Sequence, residues 1–178
     1  MKYNEIKSFT LPLSESDIIS MKCGDIVRLT GIVYTARDAA HKRFVSALEK
    51  GEKLPIDLSS AAIYYCGPTP TKEGEIIGSC GPTTSSRMDD YAPTLMDCGL
   101  KVMIGKGKRS PAVLEAMKKH RAVYFAAIGG AGALYKHKVK SCKCVAYPDL
   151  GCEAVYKLYM YEVELLVAAD SQGNTCLL

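Results

Sequence analysis

The sequence carries no strong charge of one sign. Its 23 Lys and Arg stand against 19 Asp and Glu, a formal net charge of +4 over 178 residues. That is too mild a field to imply a nucleic-acid or membrane partner. Long apolar runs are missing too. The most hydrophobic stretch, residues 122–134 (AVYFAAIGGAGAL), is too short to span a bilayer and is broken by three glycines. The start, MKYNEIKSFTLPL, has no apolar segment of signal-peptide length, so a cytoplasmic protein is expected. Nor do the eight cysteines show the tight pairing of a disulfide framework: seven lie at irregular intervals from Cys23 to Cys152, and the eighth is Cys176. They read as thiols rather than as a disulfide framework. Linkers, repeats and low-complexity runs are absent. With 48% hydrophobic and 24% charged residues the chain is neither disordered nor collagen-like. Its length predicts one compact domain over residues 1–178, fraying from about residue 174.

Strands and helices alternate. Strands are expected at residues 5–11, 25–35 (DIVRLTGIVYT, rich in β-branched side chains), 61–66, 75–79, 101–104, 122–128, 140–147 and 164–169. A short helix follows the Ser14-Glu-Ser-Asp17 cap. Others are expected over residues 37–50, with Phe44, Ala47 and Leu48 on one face, and over 86–98, stopped by Gly99. A further helix has Pro111 at its first position and runs to His120. A glycine turn at 129–132 leads into a short helix, and another is expected over 150–159. The class is α/β.

Chemistry gathers where strands end, the usual place for ligands in α/β sheets. In TARDAAH, Arg37 offers a planar fork for a carboxylate or phosphate, and Asp38 and His41 can meet on one helix face. A solvated helix start accounts for the same residues. In GPTTSSRMD, four hydroxyls and Arg87 follow a Gly-Pro turn. Backbone N–H groups, hydroxyls and the helix end could cradle an anion there, or the hydroxyls could cap a turn. It is not a P-loop, since no Gly-Lys-Ser/Thr follows at the required spacing. In IGKGKR, Lys106 lies between two glycines, which allow close backbone approach; a solvated basic turn is the alternative. Arg37, Arg87 and Lys106 together suit a small dianion.

Other features say less. Gly129-Gly-Ala-Gly132 falls short of a dinucleotide fingerprint. Cys142 and Cys144 alternate along an expected strand and read as buried small hydrophobes rather than metal ligands. His120 and His137 have no evident partners.

The segments TARDAAH, YYCGPTP, SCGPTTSSRMD, the Lys106 loop, IGGAGALY, VAYPDLGCEA and ADSQGN occur in this order. Together they resemble the β-type region of class I, iron–sulfur fumarate and tartrate hydro-lyases, over residues 11–174. The resemblance implies a swivelling β/β/α domain. It also implies reversible addition of water to a four-carbon dicarboxylate, and a separate β subunit that needs an α subunit for activity. The 4Fe–4S cluster of such enzymes would be held by the α subunit, with no metal ligand from this chain. Cys142 and Cys144 depart from the family's pattern. By the same resemblance Arg37, Arg87 and Lys106 bind substrate carboxylates, and Thr83 matches a threonine proposed as the proton-transferring base. His41, of a residue type that ordinarily titrates near neutral pH, is a second acid/base candidate; orienting Asp38 or Arg37 is its other reading. The largest apolar patch is expected to meet the α subunit, and a homodimer is allowed when that subunit is missing. The rivals are a tartrate dehydratase β subunit and a non-catalytic module that binds small dianions.

Overall fold

The computed structural model describes residues 6–128 and 130–177, so Glu5 of the expected first strand, Gly129 of the glycine turn and the final Leu178 lie outside the described residues. In chain order the elements are β1 (Lys7–Thr10), α1 (Glu15–Ser20), β2 (Ile26–Thr35), α2 (Asp38–Glu49), β3 (Ala62–Tyr64), α3 (Ala92–Asp97), β4 (Val102–Gly105), α4 (Pro111–His120), β5 (Val123–Ala126), α5 (Gly132–Lys138), β6 (Val139–Ala146) and β7 (Val155–Ala169). Single 3₁₀ stretches occupy Ser85–Met88 and Pro148–Glu153.

The sheet order is β1-β2-β3-β4-β5-β7-β6, with β2 also paired to β7. Neighbours from β1 to β5 run parallel, and β7 runs antiparallel to β2, β5 and β6. Because the long β7 meets β2 on one side and β5 on the other, the sheet folds over and closes on itself. Side chains alternate between two cores. Tyr64, Ile104, Phe125, Leu29 and Leu165 point into the space between the sheet halves. Ile63, Met103 and Tyr124 face Phe44 of α2, Leu95 of α3 and Met117 of α4. The result is a β/β/α stack, the expected α/β class. The space between the sheet halves is nearly filled: a cavity of about 10 Å³ remains, lined by residues such as Leu29, Tyr64 and Met160. No helix among the described residues is long and apolar enough to cross a membrane.

The Ser14 cap forms as the sequence predicts, with reciprocal Ser14–Asp17 bonds. Three expectations fail for local reasons. Residues 150–159 form no α-helix: the 3₁₀ stretch kinks at Gly151 (φ 59°, ψ −120°), and from Val155 onward the chain is strand. There Leu158, Met160, Val163, Leu165 and Val167 are buried in one core. Their period of two slips at Glu162 (φ 49°), whose N–H donates to Thr30 Oγ1 at 3.0 Å. Residues 75–79 form no strand; Thr69 and Ser79 bond to each other instead, Thr69 N–H to Ser79 O at 3.0 Å and Ser79 N–H to Thr69 Oγ1 at 2.8 Å. The helix expected at 86–98 divides, because Pro93 is confined to the first turn of α3 and cannot lie mid-helix. The tail is held as far as Leu177: Thr175 bridges Ala169, and Cys176 N–H donates to Ala168 O at 3.1 Å.

Candidate active site

The sheet continues past the ends of β3 and β4 by capturing the GPTT segment. Thr83 N–H donates to Tyr65 O at 2.6 Å, Lys106 N–H to Thr83 O at 3.3 Å, and Ser85 N–H to Lys106 O at 2.9 Å. Thr83 and Lys106 are thereby locked backbone to backbone. This pairing narrows the anion-cradle expectation, since the N–H groups of Thr83 and Ser85 are already used. The helix that follows is one 3₁₀ turn and carries too few aligned peptides to act as a dipole. The capping alternative fails as well. Thr84, at the cap position, makes no side-chain cap bond. Ser85, fully buried, points at Tyr124 Oη (2.8 Å), whose own proton goes to Gly107 O (2.8 Å). Among the described residues the half-buried Thr83 hydroxyl makes no hydrogen bond.

Gly105 allows this capture. A Cβ there would stand 2.0 Å from Ser85 Oγ and 2.7 Å from the Tyr65 ring. Gly105→Ala is therefore expected to cost about 1–3 kcal/mol, read as a lower urea midpoint at unchanged slope.

Arg37 precedes α2 and lies over Gly67, where a Cβ would come within 2.8 Å of its Nη1. Its Nη2 is 3.3 Å from Glu153 Oε1, and the other Glu153 oxygen accepts Ala39 N–H at 3.0 Å. Asp38 stands between the two arginines. Its Oδ1 accepts from Arg87 Nε at 2.8 Å, while its Oδ2 is 3.8 Å from Arg37 Nε, too far for a hydrogen bond. Arg37 Nε and Asp38 Oδ2 are thus buried without hydrogen-bond partners among the described residues. Lys106, half-buried, opens on a groove of about 490 Å³ shared with Ile128, Leu166 and Leu177.

His41 does not meet Asp38. Its Nδ1 bonds Arg37 O at 2.9 Å, and its ring lies edge-on to Tyr65 with centroids 5.3 Å apart. Burial pushes its pKa down from the ordinary 6.5 to about 4. In the unfolded chain the ring takes up its proton from about pH 6.5, while the folded chain resists until about pH 4. Stability is therefore lost as pH falls through that window, by about 3 kcal/mol, and no contribution changes above it. His41→Asn keeps a donor for Arg37 O, and its urea-unfolding curves should lack this loss between pH 6.5 and 4.

Residues 2–177 match the family described as Fumarase C-terminus. The chain belongs to that family. It is 40% identical over 148 residues to the aerobic class I fumarate hydratase of Escherichia coli, covering 82% of this chain and 27% of that protein. It is 40% identical over 153 residues to fumarate hydratase 2 of Leishmania major, again 27% of that protein and 85% of this chain. The chain therefore spans about a quarter of these relatives. A Methanocaldococcus jannaschii protein, named provisionally as the β subunit of L(+)-tartrate dehydratase, is 39% identical over 169 residues, 92% of this chain and 87% of that protein. This is a C-terminal or β-type domain of that family.

Within this fumarase C-terminal domain the structure brings Arg37, Asp38 and Arg87 together, and Thr83 with Lys106. Two participants were not singled out from the sequence. Glu153 lies in the stretch misread as helix, and the only signal for it was its place in VAYPDLGCEA. Arg109 closes the Lys106 loop and is buried, which its basic neighbours disguised. His120 does have a partner, Asp97 Oδ1 at 2.8 Å. Cys142 and Cys144 are not buried hydrophobes: the first is half-buried and the second exposed, because β6 is an outer strand paired on one side only. Cys66 and Cys80 are buried free thiols with sulfurs 3.3 Å apart. Among the described residues no three His, Cys, Asp or Glu side chains gather as a metal-binding group.

Proposed function

We propose that the chain is the β subunit of a cytoplasmic two-subunit hydro-lyase that interconverts fumarate and malate. The observation that carries this reading is the buried Arg37 Nε, unpartnered among the described residues and set beside Asp38 and Arg87 next to the segment that joins Thr83 to Lys106. Dehydrating malate removes a proton from the carbon next to one carboxylate while hydroxide leaves the neighbouring carbon. Charge builds on that carboxylate, and fixed cations stabilise it. Arg37 and Arg87 bind the carboxylates by their planar forks, and Lys106 adds a point charge. Thr83 moves the carbon-bound proton. A free hydroxyl is a poor base, so it acts only when neighbouring cations favour its ionised form. His41, closed off and neutral, holds the Arg37 carbonyl rather than moving a proton.

As the resemblance implies, the 4Fe–4S cluster is assigned to the partner α subunit, and no step above passes through it. Ile128 (72% exposed) and Leu134 (69% exposed) flank the turn next to the Lys106 groove and offer the α subunit an apolar face. The same face allows a homodimer when α is missing. The relative matched over 87% of its length supports a stand-alone subunit, and its name supports tartrate as the second reading.

Co-expression with an α-type chain, followed by anaerobic and aerobic assays on fumarate, malate and tartrate, tests this. The pair is expected to turn over fumarate anaerobically and fade in air, with the lone chain colourless and inactive. A higher kcat/KM on tartrate selects the second reading. Turnover by the lone chain overturns the division of labour.

A further inference from the structure

Under the three cationic loops lies a buried polar cluster that the proposed reaction leaves unused. Each loop sends one further residue into it: His41 from the Arg37 loop, Asp89 from the Arg87 loop and Arg109 from the Lys106 loop. The Arg109 side chain is 1% exposed. Its Nε donates to Asp89 Oδ1 at 2.7 Å and its Nη1 to Tyr65 Oη at 3.2 Å. Its guanidinium carbon lies 5.3 Å from the Tyr65 ring centroid and 5.1 Å from that of Tyr124. The second Asp89 oxygen accepts Ser110 N–H at 2.7 Å. Tyr65 receives the edge of His41, and its own carbonyl holds Thr83 N–H. Arg109 Nη2 and His41 Nε2 are buried without partners among the described residues.

A buried ion pair is a poor source of net stability, because desolvation offsets most of the attraction, and apolar side chains of similar volume would serve a core as well. It does fix geometry. A planar guanidinium clamped by one carboxylate and two tyrosine rings has a single orientation. From it, contacts and short chain segments lead to all three loops: through Asp89 to Arg87, along its own loop to Lys106, and through Tyr65, which bonds Thr83 and packs on His41, to Thr83 and Arg37. We propose that Arg109, with Asp89 and Tyr65, is a positioning unit that sets the spacing of Arg37, Arg87, Lys106 and Thr83 without touching substrate. The inference rests on the hydro-lyase reading of that site.

Two variants test it. Arg109→Lys keeps a charge for Asp89 but loses the fork and the stacking. Tyr65→Phe keeps the ring and loses only the hydroxyl, so the fold survives even if the lysine variant does not. Amide hydrogen exchange on the full chain reads the pin without any activity. The Ser85 and Lys106 amides should exchange about 10-fold faster while amides of the β2–β7 ladder keep their protection. In the reconstituted pair kcat should fall about 10-fold with KM changed less. Unchanged exchange at Ser85 and Lys106, or equally faster exchange throughout the chain, overturns the proposal. A wild-type pair inactive on every diacid refutes the hydro-lyase reading alone, and the exchange result still judges the pin.

Discussion

Thr83→Ala in the reconstituted pair is expected to lower kcat by about 10²- to 10⁴-fold while KM changes little. The segment that carries Thr83 is held by its backbone, N–H to Tyr65 O and C=O to Lys106 N–H, and alanine makes both bonds equally well. Among the described residues its hydroxyl caps nothing and bonds nothing, so its loss leaves no unsatisfied partner. The stability change should stay within about 0.5 kcal/mol. A rate loss without a melting-temperature loss would then mark the hydroxyl as chemical rather than structural. Exchange of the malate C3 proton with solvent deuterium, followed by NMR, should slow in parallel with kcat. Normal exchange in the variant would take the proton transfer away from Thr83. The closed, neutral ring of His41 would be a poor replacement, since it has no path to solvent and no second charge state near pH 7.

Local chemistry was legible in the sequence wherever one residue type leaves few options. The Ser14 cap, Pro111 at the start of α4, and Gly99 (φ 106°) ending α3 stand where the sequence predicts. The clustering of Arg37 with Arg87 was legible from the rule that ligands gather at strand ends. Long-range pairing was not. Residues 150–159 contain apolar side chains at spacings that suit a helix or a strand, and only the partner decides: β2 presents an unpaired edge along its length, and β7 takes it. The same blindness hid Glu153, whose role exists only because the chain before β7 folds back over the start of α2. The hydroxyl-rich segment was read as a helix-end anion site because its sequence suits one. That the Thr83 and Ser85 N–H groups are used by the Tyr65 and Lys106 carbonyls depends on contacts made across the sheet.

Arg87→Lys keeps the charge and should still cost about 10²-fold in kcat/KM, or about 3 kcal/mol of transition-state stabilisation. Arg87 does two things at once. Its Nε is committed to Asp38 Oδ1 at 2.8 Å, which turns the guanidinium plane, and its two Nη groups make no hydrogen bond among the described residues. They remain as a fork whose geometry matches a carboxylate. A lysine ammonium has one nitrogen: if it pairs with Asp38 it leaves the substrate, and if it reaches the substrate it leaves Asp38 free to drift towards Arg37. The pair is half-exposed, the Arg87 side chain at 50%, so breaking it should change stability by no more than about 1 kcal/mol. The variant should therefore fold, bind its partner and fail in turnover. Asp38→Ala separates the two duties, since it removes the acceptor of the Nε while sparing the fork, and its loss should be smaller than that of the lysine variant. If Arg87→Lys turns over at the wild-type rate, the fork has no role and the carboxylates are bound elsewhere.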